Sequence, residues 1–154
     1  MRLLLLTMTL LLTTMGVKAQ QSQLEKLDKA IDNVKKGIAS FYHDKFEGRR
    51  TATGDIFDND KFTAASNKLK LGSYVKVTNV SNGEVVYVKI NDRMAKSNTR
   101  LIDLASVAAK KLDFHNKGIA KVKVEVVPAE EGKTGILAQN KMMNATDAPT
   151  KNEL

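Results

Sequence analysis

Apolar and polar residues alternate with a period of two in several short segments of this chain. Val75 and Val77 alternate with a lysine and a threonine, and residues 121–126 repeat the pattern with three valines. Successive side chains of a β-strand point to opposite faces of the sheet, so this period is typical of strands with one buried face. The pattern predicts a mainly β domain over residues 37–128.

Two further local signals fall within this region. Asn82-Gly83 precedes the apolar segment 84–90, and both turn residues accept positive φ, which predicts a β-hairpin. Ser106 or Asp103 is positioned to cap a short helix. The apolar residues that would share one face of that helix are Leu104, Val107, Ala108 and Leu112.

A short internal similarity favours a closed sheet. Residues 70–77 and 116–124 both consist of polar residues, a glycine and a strand with lysines on its outward side. Such repetition indicates a barrel built from two related parts. Because closure leaves no unpaired strand edge, we predict a small β-barrel with one or two short helices.

The N-terminal segment 1–19 has the pattern of a secretory signal peptide. Arg2 precedes an apolar run from Leu3 to Leu12, and Val17 and Ala19 fit cleavage before Gln20. The run is shorter than the ~20 residues that a membrane-spanning helix needs, although a short membrane anchor is the alternative. We therefore expect an exported protein, periplasmic or extracellular, without an integral membrane span.

The segments that flank the β domain are predicted to be a helix before it and a disordered tail after it. Apolar residues at spacings of 3, 4 and 3 predict a helical spacer over residues 20–36, either docked on the domain or fraying. Residues 129–154 contain few large apolar residues and predict a disordered tail. The apolar positions of the spacer are Leu24, Leu27, Ile31 and Val34.

Charge and composition limit the partners. The chain has a formal net charge of +8, and cleavage of the leader would remove two cations. A basic exported protein favours acidic polymers such as carboxylate-bearing cell-wall glycans over nucleic acid, although a merely soluble surface would have the same composition. With no cysteine, disulfide-bonded modules, cysteine-ligated metals, thiol nucleophiles and lipid attachment to an N-terminal cysteine are excluded. His43 and His115 lie far apart in sequence, so we expect no metal and no other cofactor.

A series of short blocks, in order and at matching spacing, resembles the rare lipoprotein A (RlpA) family. Representative blocks read Gly-Ile-Ala-Ser-Phe-Tyr, Thr-Ala-Thr-Gly-Asp, Ile-Asn-Asp-Arg and Arg-Leu-Ile-Asp-Leu. The resemblance implies a six-stranded double-psi β-barrel, related in shape to expansins, and a lytic transglycosylase activity on peptidoglycan. The blocks cover residues 37–42, 46–49, 51–55, 62–65, 71–79, 82–83, 88–93 and 100–104.

The resemblance assigns Asp92 to the position of the family's catalytic aspartate. A lytic transglycosylase protonates the leaving oxygen while the C6 hydroxyl of the sugar closes an anhydro ring, so one carboxyl can perform both proton transfers. From the residues alone, Asp92 could instead cap a turn and pair with Arg93. Asp55 stands where the family has glutamate, and we expect this second catalytic carboxylate to tune or orient Asp92.

Two other positions depart from the family pattern. Ser66 replaces a histidine and so loses a group that titrates near neutral pH, although its hydroxyl could hydrogen-bond a sugar. His43 could supply the missing imidazole or could be a plain surface residue. The loop after Asp92 reads Arg93-Met94-Ala95 where the family has Arg-Gly-Pro, so it is less restricted.

Three further side chains are candidates for substrate binding. Tyr42 could stack on a sugar ring in the groove, with a core position as the alternative. Arg93 and Arg100 could bind the lactyl or peptide carboxylates of peptidoglycan, or could pair internally with Asp92 and Asp103.

Two functions therefore stay open. The first is an endolytic transglycosylase that cleaves the MurNAc–GlcNAc β-1,4 link and leaves 1,6-anhydro-MurNAc ends. The second is a barrel that binds glycan, as expansins do, without cleavage. A protein-binding module that uses the apolar stripe of residues 20–36 is a weaker alternative. For the first two functions we expect a monomer whose partner is peptidoglycan.

Overall fold

The computed structural model describes residues 17–26 and 33–146. Residues 17–26 form helix α1, and all ten of its residues are exposed. The predicted signal peptide lies outside the described residues except for its last three positions, which begin α1. Leu27 and Ile31 of the predicted apolar stripe lie outside them as well. Within the part of the chain that is described, no helix combines the length and the apolar character needed to cross a membrane.

Six strands close into a barrel in the order β1-β5-β2-β4-β3-β6. The β1–β5 and β2–β4 pairs are parallel, whereas β2–β5, β3–β4 and β3–β6 are antiparallel. The predicted closed barrel is therefore confirmed. The strands are β1 (Val34–Phe41), β2 (Thr63–Ala65), β3 (Tyr74–Asn79), β4 (Val85–Asp92), β5 (Ile102–Leu104) and β6 (Ala120–Val127).

The period-two pattern marks the inward face of the barrel. Val75 and Val77 are fully buried on β3, and each lies opposite a valine of β6. The hairpin between β3 and β4 forms, but its turn differs from the predicted two-residue type. Only Gly83 takes positive φ, at 78°, and residues 80–84 make a longer connection. The backbone of Asn79 closes this connection, because its N–H donates to the carbonyl of Glu84 and its carbonyl accepts the Gly83 N–H, both at 2.9 Å.

Helix α2 (Ser106–Lys111) is shorter than predicted and is capped differently. Leu104 belongs to β5, and neither Ser106 nor Asp103 provides the cap. Instead, the side-chain oxygen of Asn59 accepts the Ser106 N–H at 3.0 Å, and its carbonyl accepts the Val107 N–H. A cap supplied from a distant loop has no signal in the local sequence, which is why the prediction was wrong.

Residues 129–146 form helix α3 (Ala129–Thr146), so the prediction of a disordered tail is wrong for this stretch. Gly132 packs against the Tyr74 side chain and Gly135 against the ring of Tyr87. Gln139 forms two hydrogen bonds with the backbone of Tyr87, accepting its N–H at 2.6 Å and donating to its carbonyl at 3.0 Å. Contacts made through glycines leave no periodic apolar pattern.

The N-terminal boundary of the β domain also differs from the prediction. Strand β1 begins at Val34, which lies inside the predicted spacer of residues 20–36.

Glycine at position 132 is required by this packing. A Cβ there would overlap the Tyr74 side chain, so we expect Gly132→Ala to lower the free energy of unfolding by about 1–3 kcal/mol, despite the higher helix propensity of alanine. Chemical denaturation measures this loss, and hydrogen exchange of α3 amides locates it. Thr134→Ala, at an exposed position of the same helix, is the control; an equal effect in both variants would contradict the packing argument.

Candidate active site

Asp92 is the last residue of β4 and lines a cleft of about 410 Å³, here called the Asp92 cleft. The carboxylate is half-buried and accepts three hydrogen bonds. The Tyr42 hydroxyl donates to Oδ2 at 2.9 Å, while the N–H groups of Ala52 and Arg93 donate to Oδ1 at 2.9 and 2.8 Å. These bonds orient the carboxylate. The cleft is lined by Phe41, Tyr42, His43, Lys45, Phe46, Asp92, Arg93, Met94, Ala95, Asn98, Arg100 and Asp103.

Tyr42 lies in this cleft immediately after β1 and has a fixed ring. The ring packs against Phe57 at 4.5 Å and meets Phe46 edge-on at 5.6 Å, measured between centroids. Burial raises the pKa of the Tyr42 hydroxyl far above its ordinary value, and the hydrogen bond to Asp92 and the carboxylate charges add to the rise. Tyr42 therefore keeps its proton and acts as a donor to Asp92. The sequence indicated Tyr42 as a groove residue but not this hydrogen bond.

Asp55 belongs to the loop whose Ala52 N–H contacts Asp92. It lines a second hollow, of about 350 Å³, together with Lys61, Lys89 and Asn91. The Thr53 hydroxyl donates to its Oδ2 at 2.8 Å, and its own carbonyl accepts the Thr51 N–H at 2.8 Å. Asp55 thus holds the loop whose Ala52 N–H reaches Asp92, so it can orient Asp92 through the backbone.

The pKa of Asp55 lies below its ordinary value. The Thr53 hydroxyl is the largest cause, burial opposes it, and Lys89, Asn91 and Lys61 lower the pKa further. A depressed folded-state pKa stabilises the loop at pH values above the ordinary pKa and loses that effect as the pH falls through the depressed value. Asp55 is therefore charged at neutral pH.

The two arginines are engaged with the protein. Arg100 forms a two-pronged ion pair with Asp103 at 2.8 and 3.0 Å, which raises the pKa of the guanidinium. The internal alternative for Arg100 is therefore the one observed. Asp103 also accepts hydrogen bonds from Ser40 and Asn98, a network that the sequence did not indicate beyond the proximity of Arg100. The guanidinium of Arg93 donates to the carbonyls of Ser66 and Leu69, and it is the backbone N–H of Arg93 that donates to Asp92.

Ser66 does not face the cleft. Its side chain has no exposed surface; it donates to the carbonyl of Leu101 at 2.8 Å and accepts the Lys68 N–H. Its backbone N–H donates to the carbonyl of Asp92 at 3.2 Å. A fully buried hydroxyl cannot touch a glycan strand, so the expected substrate contact of Ser66 does not fit the structure.

The two histidines differ in their surroundings. His43 is exposed and lines the Asp92 cleft, with Nδ1 accepting the Lys45 N–H at 3.3 Å. His115 stacks on Phe41 at 4.3 Å between centroids and has a packing role. Among residues 17–26 and 33–146, no group of three carboxylate, histidine or cysteine side chains is arranged to hold a metal ion.

A substitution can test whether the Thr53 hydroxyl is the main cause of the lowered pKa of Asp55. We expect Thr53→Val to move the pKa of Asp55 upward towards 3.8, because it removes the largest lowering contribution. An NMR titration of the Asp55 carboxyl carbon measures it. Thr78→Val, on β3, should leave the titration unchanged; no movement in the Thr53 variant would exclude this cause.

Comparison with known proteins identifies the domain. A family model described as lytic transglycolase matches residues 34–124. Endolytic peptidoglycan transglycosylase RlpA of Haemophilus influenzae is 43% identical over 114 residues, which cover 74% of this chain and 40% of that protein. The protein of the same name from Neisseria meningitidis serogroup A is 45% identical over 106 residues, covering 68% and 43%. The chain thus spans about two-fifths of the length of these curated relatives.

A solved structure gives the same result for the fold. The apo structure of an expansin from Clavibacter michiganensis matches with a TM-score of 0.51 at 22% identity, covering 62% of this chain and 51% of that one. At this identity the likeness concerns the fold alone. The matched segment contains β1 to β5 and both carboxylates, Asp55 and Asp92. The chain belongs to the lytic transglycolase family of double-psi β-barrel proteins, in which the resemblance to the rare lipoprotein A family placed it.

Proposed function

We propose that this domain is an endolytic peptidoglycan transglycosylase that cleaves the MurNAc–GlcNAc β-1,4 link and leaves 1,6-anhydro-MurNAc ends. Family membership and the names of the relatives support the reaction class. The observation that carries the proposal is the carboxylate of Asp92, which three donors orient at the wall of an open cleft. The two oxygens of that carboxylate have unequal surroundings.

The two oxygens of Asp92 therefore have different roles: Oδ1 holds the carboxylate in place, and Oδ2 transfers the proton. Oδ1 accepts two backbone N–H groups, whereas Oδ2 accepts a single donor among the described residues, the Tyr42 hydroxyl. In the reaction, protonated Asp92 gives its proton from Oδ2 to the glycosidic oxygen as the bond from that oxygen to C1 breaks. The C6 hydroxyl oxygen of the same sugar then bonds to C1 and returns its proton to Oδ2. No water is consumed, and the carboxyl ends in its starting form.

The remaining side chains position these groups. Tyr42 stabilises the Asp92 carboxylate between the two proton transfers, because its hydroxyl remains a donor. Asp55 acts as a positioning residue through the loop that carries Ala52. Arg93 lines the Asp92 cleft with a partly exposed guanidinium, which could bind a substrate carboxylate in addition to the carbonyls that it already contacts.

This activity requires the domain to reach the cell wall. The leader pattern of residues 1–19 and the basic net charge support export to the periplasm or the cell exterior. The proposal includes a monomeric enzyme without a bound cofactor.

Asp92→Asn tests the role of the carboxyl directly. We expect the wild-type mature chain to release anhydro-muramyl fragments from purified sacculi, and the variant to lose at least ~10²-fold in rate, because an amide cannot donate and recover the proton. Mass spectrometry of the products from intact sacculi and from sacculi stripped of stem peptides measures both. If neither protein releases fragments but both sediment with sacculi, the non-catalytic glycan-binding barrel is the better account.

Tyr42→Phe separates positioning from binding. Loss of one hydrogen bond to a charged group should slow fragment release roughly 10- to 100-fold, while sedimentation with sacculi is retained. Tyr87→Phe is the matched control, since its hydroxyl meets an exposed carboxylate, that of Glu131, at 3.2 Å. An equal loss of rate in both variants would contradict the role of Tyr42.

A further inference from the structure

The segment that follows Asp92 carries one of the donors to the carboxylate. Residues 93–95 read Arg-Met-Ala, and neither methionine nor alanine fixes φ as a proline would. The segment is nevertheless closely placed, because the Arg93 N–H donates to Oδ1 of Asp92 at 2.8 Å. Contacts from elsewhere in the fold must therefore hold this N–H in position.

Asn67 provides two such contacts. Its side-chain Oδ1 accepts the Met94 N–H at 3.1 Å, and its Nδ2 donates to the carbonyl of Ala95 at 3.3 Å. An amide side chain carries an acceptor and two donors, so it can bind the N–H of one residue and the carbonyl of the next. The two hydrogen bonds hold the backbone immediately after the N–H that reaches Asp92.

Asn67 itself follows a firmly placed residue. Ser66 is fully buried, and its backbone N–H donates to the carbonyl of Asp92 at 3.2 Å. Its carbonyl accepts the guanidinium of Arg93, which also donates to the carbonyl of Leu69 at 2.8 Å. Asn67 thus extends a set of hydrogen bonds that joins the end of β2 to the end of β4.

The location of Asn67 fits a positioning role better than a role in substrate binding. Its side chain is exposed, and its hydrogen bonds are made with backbone atoms. Among the described residues, the lining of the Asp92 cleft includes Met94 and Ala95 but not Asn67. A substitution at Asn67 therefore alters the support of the segment without removing a side chain that lines the cleft.

Both N–H donors to Oδ1 of Asp92 lie in loops that a further side chain holds. The Ala52 N–H comes from the loop that contains the hydrogen bond between Thr53 and Asp55. The Arg93 N–H comes from the segment that Asn67 holds. When both donors are in place, Oδ1 is fixed and Oδ2 keeps its direction.

We propose that Asn67 is a positioning residue for Asp92. Its side chain holds Met94 and Ala95 so that the Arg93 N–H stays on Oδ1, and Oδ2 remains the oxygen that exchanges protons with the sugar. The effect on the reaction rests on the proposed function, whereas the effect on the Arg93 N–H does not. Without the Asn67 side chain the carboxylate turns, which slows the proton transfers and leaves glycan binding intact.

Asn67→Ala removes both hydrogen bonds. We expect the maximal rate of anhydro-muramyl release from stripped sacculi to fall roughly tenfold, while the amount of sacculi that gives half the maximal rate stays the same. Asn116→Ala, at another exposed asparagine, is the matched control and should keep the wild-type rate. A change confined to the half-saturating amount, or an equal loss of rate in the control, would overturn the positioning role.

NMR spectroscopy tests the structural effect without any activity measurement. The amide proton of Arg93 donates to a carboxylate, so in Asn67→Ala it should shift upfield and exchange faster with solvent. The amide proton of Gly83, in the connection between β3 and β4, should not change. An unchanged Arg93 resonance would overturn the proposal whatever the enzymatic result.

A second substitution can restore the restraint in a different way. Ala95 does not have positive φ, and its N–H has no hydrogen-bond partner among the described residues, so proline is compatible with this position. Ala95→Pro in the Asn67→Ala background should recover most of the lost rate and the wild-type Arg93 amide shift, because proline limits the conformations of the segment. Recovery of neither quantity would mean that restraint of the segment is not what Asn67 supplies.

Failure of the proposed function is a separate result. If the wild-type chain releases no anhydro-muramyl product from intact or stripped sacculi, the transglycosylase reaction is contradicted. The Arg93 amide resonance still reports in that case whether Asn67 holds the segment after Asp92.

Discussion

The hydrogen bonds to the Asp92 carboxylate join segments that are distant in the chain. Tyr42 follows β1, Ala52 lies in the loop before β2, and Asp92 ends β4. Their meeting depends on barrel closure, because β1 is separated from β4 by β5 and β2 in the sheet order. The geometry of the site therefore depends on the fold, because a change that shifts a strand end also shifts a donor to the Asp92 carboxylate.

The loop between residues 50 and 56 connects the Asp55 carboxylate to the Asp92 carboxylate through hydrogen bonds. Asp55 and Asp92 line different hollows; Asp55 accepts the Thr53 hydroxyl within the loop, and Asp92 accepts the N–H of Ala52 from the same loop. Asp55 is charged at neutral pH, so its hydrogen bond from Thr53 is charge-assisted. In the proposed mechanism, proton transfer belongs to Asp92 and positioning to Asp55, which differs from the paired-carboxylate scheme of glycoside hydrolases.

The sequence predicted those parts of the structure that depend on neighbours along the chain. The alternating valines predicted the inward faces of β3 and β6, and the family blocks located Asp92 at a strand end. Long-range hydrogen bonds were not predictable in this way: Asn59 caps α2 from a distant loop, and Ser66 turns its hydroxyl to the carbonyl of Leu101. Helix α3 was missed because two glycines and a glutamine make much of its contact with the barrel, and the apolar residues that pack beside them, Ile136 and Met143, are too few to give a sustained period.

The hydrogen bonds of Gln139 have a consequence for association between copies of the domain. Strand β2 is short and pairs with β4 only from Lys89 onward, so the preceding part of β4 has no strand on that side in the described structure. The side-chain amide of Gln139 occupies the N–H and carbonyl of Tyr87 there, as a neighbouring strand would. An open backbone of this kind is a template for strand addition from another molecule. Helix α3 thus occupies, through Gln139, backbone groups of β4 that an added strand would need.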